Sequence, residues 1–167
     1  MKQQIKTCAA STALQAHHIL YQDLNSLQTL HGGHLMALVD NVASISALRF
    51  ANTAVMTATV DHFEFKQAFQ VGQIVTVQTY VSGAGNRSLE IFAKVIGEDA
   101  LSGERYLGAT AFLTFVALDK QAVLPTLRPE SREEKLVCAA YEQRRAANLK
   151  AQQESSELAQ QLDLSVK

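Results

Sequence analysis

Two features of this 167-residue chain have types and spacing that could do chemistry: a lone acid inside an apolar stretch and a pair of glycines shortly before it. Asp40 lies among Met36, Ala37, Ala43 and Ser44, where a carboxylate must reach solvent, find a partner or take part in a reaction. On a helix, Gly33 precedes it by two turns, roughly 10 Å, and side chains lean toward the helix start, so acid and glycine share a face. First-turn N–H groups have no partners inside a helix, and the dipole adds partial positive charge there. Paired Gly32 and Gly33 admit a ligand close to those donors, which joins an oxyanion-binding end to a candidate base. The competing reading is a buried aspartate satisfied by Ser44 or a nearby backbone amide.

That chemistry requires a helix, and the pattern supplies one. Leu35, Leu38, Val39, Val42, Ile45 and Leu48 recur at three-and-four spacing, while Met36, Ala43 and Ala47 leave the other faces weakly polar, which predicts a helix wrapped by protein. Ahead of it, residues 14–20 alternate as a short strand, and a polar connection then carries Asn25 to the helix start. A loop asparagine before a helix is ordinarily a turn or cap residue. His31 and His34 are three apart, but no third ligand follows at suitable spacing, so no metal site is expected.

After the helix, residues 55–66 are rich in β-branched and aromatic types and read as a strand, followed by a turn at residues 67–70. Residues 74–82, 88–96 and 105–118 alternate as further strands, with turns at Gly83-Ala84-Gly85-Asn86 and over residues 97–103. One long helix with four or five strands joined by short turns predicts an α+β fold, an antiparallel sheet wrapped around a central helix. Residues 1–13 carry little pattern and are expected to form a loose arm, with the main domain over 14–128. From 129 to 167 the composition favours one C-terminal helix, acids in its first turn, fraying into a polar tail after Lys150.

A net charge of −1 gives no general field for nucleic acid or anionic membrane. Cys8 and Cys138 form neither a CxxC pair nor a disulfide framework, which favours a reducing compartment. The opening residues lack the apolar run of a leader, and no stretch is long and apolar enough to span a bilayer, so a soluble cytoplasmic protein is expected.

Asn25, His31-Gly32-Gly33-His34-Leu35-Met36 and Asp40 together resemble the signature of hot-dog-fold acyl-CoA thioesterases. Further pieces agree in order: Val55-Met56-Thr57 with Val60-Asp61 and Phe65, Val71-Gly72, Arg87-Ser88-Leu89-Glu90, Phe115 to Asp119, and Pro125. The resemblance spans residues 16–130 and implies hydrolysis of acyl-CoA to a carboxylic acid and free CoA. In its terms Gly33 amides polarise the thioester, Asp40 is base or nucleophile, Asn25 and His31 lie at the reacting end, and Gly85, Asn86, Arg87 and Ser88 contact CoA. It further implies no cofactor beyond CoA as substrate, and a homodimer, tetramer or hexamer with sites between subunits, Asn25 of one chain meeting Asp40 of the other. The rival function is a non-catalytic acyl-CoA sensor on the same fold. A hydratase would need a histidine at close helical spacing after Asp40, and none is there.

Overall fold

The computed structural model describes residues 4–165. In chain order its elements are β1 (Ile5–Thr7), α1 (Cys8–Ser11), β2 (Ala13–His18), α2 (Gly32–Ala51), β3 (Val55–Phe65), β4 (Ile74–Ala84), β5 (Ser88–Glu98), β6 (Arg105–Ala117), β7 (Thr126–Arg128), α3 (Arg132–Ala139) and α4 (Tyr141–Ala159). Five strands form an antiparallel sheet in the order β2-β4-β5-β6-β3, and α2 lies across one face of it. This is the expected α+β hot-dog architecture.

Alternation builds the face against α2. Val75, Val77 and Val81 of β4, Leu89, Ile91, Ala93 and Val95 of β5, and Ala111, Leu113 and Phe115 of β6 are all buried. They meet Leu35, Val39, Val42, Ala43, Ala47 and Phe50 of the helix, each large apolar side chain contributing about 1.5–3 kcal/mol by leaving water. Ala43, Ser46 and Ala47 are small, which lets the helix axis approach β4 closely. Ser46 Oγ and Thr79 Oγ1 lie 2.6 Å apart, and Thr79 Oγ1 also donates to the Val42 carbonyl at 3.1 Å, so the buried hydroxyls are satisfied. The helix stops at Asn52, whose left-handed backbone (φ 52°) returns its N–H to Leu48 O.

The wrapped-helix expectation holds for only part of α2. Met36, Ile45 and Leu48 are 40%, 40% and 47% exposed, so the side away from the sheet is open in a single chain. Edge strand β3 is open too, with Met56, Val60 and Phe65 exposed and, among the described residues, one side of its ladder unpaired.

Three further expectations are corrected. Residues 5–11 are not a loose arm: β1 pairs in parallel with β7, and Cys8 and Ser11 are buried. Residues 1–3 of that arm lie outside the described ones. Strand β4 continues to Ala84 because Gly83 and Ala84 still pair with Glu90 and Leu89 of β5, so the turn is shorter than expected; Gly83 stays bare where the Tyr141 ring lies against it, an added Cβ sitting 2.0 Å from that ring. The C-terminal helix is two helices. Ser131 and Glu134 form a capping box for α3, the backbone breaks at Ala140, and α4 runs through Ala159 instead of fraying at Lys150, with no buried residue.

Candidate active site

Asp23 and Asn25 shape the loop that enters α2. Asp23 Oδ2 accepts from the Leu20 N–H at 2.8 Å and meets His17 Nε2 at 2.8 Å. These contacts, the Leu20 N–H first, hold its carboxyl below the usual value. The Asp23 carbonyl accepts from His31 N–H at 2.8 Å and so fixes where the helix begins. Asn25 Oδ1 accepts from the N–H groups of Leu27 (2.8 Å) and Thr29 (3.2 Å), and its Nδ2 donates to Thr29 Oγ1 at 2.9 Å. Gln28 takes up the reversal with a φ of 62°. Asn25 is thus the post of a tight loop, and the second N–H of Nδ2 has no partner among the described residues.

The helix mouth differs from the sequence expectation. Gly33 N–H is not bare: His31 is the N-cap, and its Nδ1 accepts from that amide at 3.0 Å. A side chain at residue 33 would collide with this cap, since an added Cβ would lie 2.9 Å from the His31 ring. The His31 and His34 rings sit 5.2 Å apart on the exposed surface, and no cluster of three metal-ligating side chains occurs among the described residues.

Asp40 is half-buried, and its Oδ1 accepts from Thr57 Oγ1 at 2.8 Å. Ser44, weighed from sequence as its partner, donates instead to the Asn41 carbonyl at 2.7 Å. Asp40 Oδ2 has no hydrogen bond among the described residues. Sequence reasoning quoted Thr57 within a matching motif but gave it no role, because its partner is on a different element.

Two irregularities of β3 aim Thr57 at the acid. The register with β6 shifts between Thr57 and Thr59 and again between Val60 and His62. Thr57 therefore faces α2, whereas Asp61 faces the opposite side of the sheet and accepts from Thr59 and Thr114 hydroxyls, each at 2.5 Å. The second shift returns Phe63 to the core.

The turn at Gly85-Asn86-Arg87-Ser88 lies at the far ends of β4 and β5. Arg87 is not the exposed arginine of a bare turn. It is half-buried, Nη2 donates to the Ala117 carbonyl at 2.9 Å, and Nε is buried without a hydrogen-bond partner. Ser88 Oγ, the Tyr141 hydroxyl and Arg145 Nε all surround Gly85. A cleft of about 520 Å³ opens beside them under α4, bordered by Asp61, Ser88, Tyr141, Arg145, Asn148 and Gln152 among others. Within one chain Asp40 and Thr57 are joined directly, His31 is joined to Gly33, and no hydrogen bond connects Asn25 to Asp40.

The fold and these residues can be set beside known proteins. A family model of the thioesterase superfamily matches residues 27–103. The uncharacterized acyl-CoA thioester hydrolase YkhA of Bacillus subtilis is 40% identical over 130 residues, 76% of each chain. The chain belongs to the acyl-CoA thioester hydrolases. An alanine variant of the acyl-CoA hydrolase from Staphylococcus aureus superposes on this hydrolase with a TM-score of 0.91 at 30% identity, covering 95% of this chain and 99% of that one. The cytosolic acyl coenzyme A thioester hydrolase of Rattus norvegicus is 35% identical over 111 residues, which are 64% of this chain and 29% of that longer protein. No helix among the described residues of the hydrolase is long and apolar enough to cross a membrane.

Proposed function

We propose that Asp40 drives the hydrolysis of an acyl-CoA thioester held at the mouth of α2. The observation that carries this is the state of its carboxylate: one oxygen is fixed by Thr57, and the other has no hydrogen bond among the described residues, on a half-buried helix face below half-buried Gly32 and exposed Gly33. In this reading the thioester carbonyl lies against the first-turn amides, where the dipole favours developing negative charge. The incoming oxygen takes the Gly33 N–H from His31, an exposed side-chain cap of about 1 kcal/mol. Asp40 Oδ2 then either deprotonates a water that attacks the carbonyl, or attacks it directly to form an acyl–aspartate anhydride that water afterwards hydrolyses, restoring the carboxylate. The C–S bond breaks and CoA leaves as a thiolate, a leaving group good enough to need no strong acid. Water is the only co-reactant in this scheme, and no metal or redox cofactor is assigned.

The S. aureus hydrolase supports these residues as a set. Its solved alanine variants replace an asparagine, an aspartate and a threonine, separated by the same intervals as Asn25, Asp40 and Thr57 here. That protein has also been solved with butyryl coenzyme A and coenzyme A. For the CoA end we assign Gly85, Asn86, Arg87 and Ser88. Arg87 carries a half-buried positive charge at this turn, which suits a phosphate.

The open sides of α2 and β3 favour a homo-oligomer. A second copy pairing along β3 would satisfy the free ladder and cover Met36, Ile45, Leu48, Met56 and Phe65. It would also bring Asn25, with its spare N–H, to Asp40 of the other subunit. A hexameric acyl-CoA thioesterase of the same fold makes further closure to six copies the favoured assembly. Two cysteines without CxxC spacing favour a reducing, cytoplasmic setting.

Thiol release from a panel of acyl-CoAs tests the base. Asp40→Ala should lower kcat by about 100-fold or more with KM little changed, and hydrolysis that survives the change removes Asp40 from the reaction. The shared site has its own test. Asn25→Ala and Asp40→Ala, each inactive alone, should regain about a quarter of wild-type activity when refolded together, because half the pairs are mixed and each holds one intact site. No recovery in mixed dimers would mean that each chain carries its own site.

A further inference from the structure

Outside the active site, the fold brings together two groups that nothing in the hydrolysis uses. Cys8 and Cys138 are separated by 130 residues, yet their sulfurs lie 3.7 Å apart in thiol–thiol contact. Cys8 opens α1 and is fully buried; Cys138 sits in the last turn of α3 and is half-buried. Around them pack Tyr80, Phe92, Leu127 and Val137, on the sheet face away from α2. The Tyr80 hydroxyl beside them is buried with no hydrogen-bond partner among the described residues, and Glu134 carries charge near both sulfurs.

We propose that Cys8 and Cys138 are a redox modification site, oxidised by a small disulfide to an intramolecular bond that fastens the N-terminal segment to α3. The two thiols divide the work by exposure. The sulfurs share a hydrogen bond; with fully buried Cys8 as its donor, the Cys138 thiol is lowered from its ordinary value, and the more exposed Cys138 is the attacking group. Cys138 gives its proton to solvent, from which the second released thiolate later recovers one, and its thiolate attacks one sulfur of the small disulfide, whose S–S bond breaks and releases one thiolate. Cys8 then passes its proton to that thiolate and attacks the Cys138 sulfur, displacing the second half of the reagent. Two protein thiols are oxidised, and one small disulfide is reduced to two thiols.

Closing the bond takes the sulfurs from 3.7 Å to about 2.05 Å. Cys138 has room to adjust, because the backbone breaks two residues later at Ala140. The bond would also steady α4, since Arg144 Nη2 donates to the Val137 carbonyl next to Cys138 and to Glu90 on the sheet.

The test exposes the native full chain to excess glutathione disulfide and reads intact mass, a non-reducing peptide map and thermal unfolding. The expected product has lost two hydrogens, carries no glutathione, links the Cys8 and Cys138 peptides and melts about 5–10 °C higher until dithiothreitol is added. Cys8→Ala and Cys8→Ser should instead retain one glutathione on Cys138, the trapped first step. A wild-type chain that keeps glutathione on Cys138, cross-links between chains, or remains unmodified under excess reagent overturns the proposal.

Discussion

The two faces of the sheet are built by different means. Toward α2 the contact is broad and apolar: many side chains from three strands and the helix, each interchangeable in kind, fill one continuous core. On the other face a small cluster of Cys8, Tyr80 and Phe92 is supplemented by a few specific bonds. Glu90, nearly buried, is bound by both Arg144 Nε (2.9 Å) and Nη2 (2.7 Å), and that guanidinium lies 4.1 Å over the Phe112 ring. Broad packing holds the site's helix in place and leaves no slack to fill a cavity. Point contacts hold the C-terminal helices, and each one matters singly.

This contrast can be broken by experiment. Phe50→Ala, in the α2 core, should cost about 4 kcal/mol and lower Tm by about 10 °C, because it opens a cavity that the packed sheet cannot close. Should Tm move by only a degree or two, the core would be far more plastic than its packing implies. On the other face Arg144→Ala should cost about 3 kcal/mol, since it strands Glu90 as a buried charge, while kcat stays within about twofold. A collapse of kcat in that variant would draw the outer face into the active site and erase the distinction. Thr57→Val sharpens it from the other side. We expect kcat to fall about tenfold with Tm within about 2 °C, because a single bond to the Asp40 carboxylate is lost without a cavity. A large loss of stability would make Thr57 a structural tie of β3 to α2 instead.

Some of this was legible residue by residue. The alternation of Val75, Val77 and Val81 and the helical spacing of Leu35, Val39 and Val42 report burial directly, so sheet, helix and the position of Asp40 follow from periods in the chain. The same reasoning overreached at Met36, Ile45 and Leu48, which are apolar yet open in one chain, because a period cannot say whether the cover comes from within. It also missed Gln28, Ala140 and the β3 register shifts, where a single backbone angle or an extra residue changes direction with no compositional signal.

The sequence by itself determined the long helix α2 and the four long strands β3 to β6, and it singled out Asp40, since amphipathic period and residue type are local properties. Only the tertiary structure decided the pairings: Thr57 with Asp40, His31 with Gly33, Arg87 with Ala117, and Cys8 with Cys138. The reason is physical. Except for His31 and Gly33, these partners are far apart in the chain, and which side chain meets which depends on strand register and element packing, both set by the collective burial of the core.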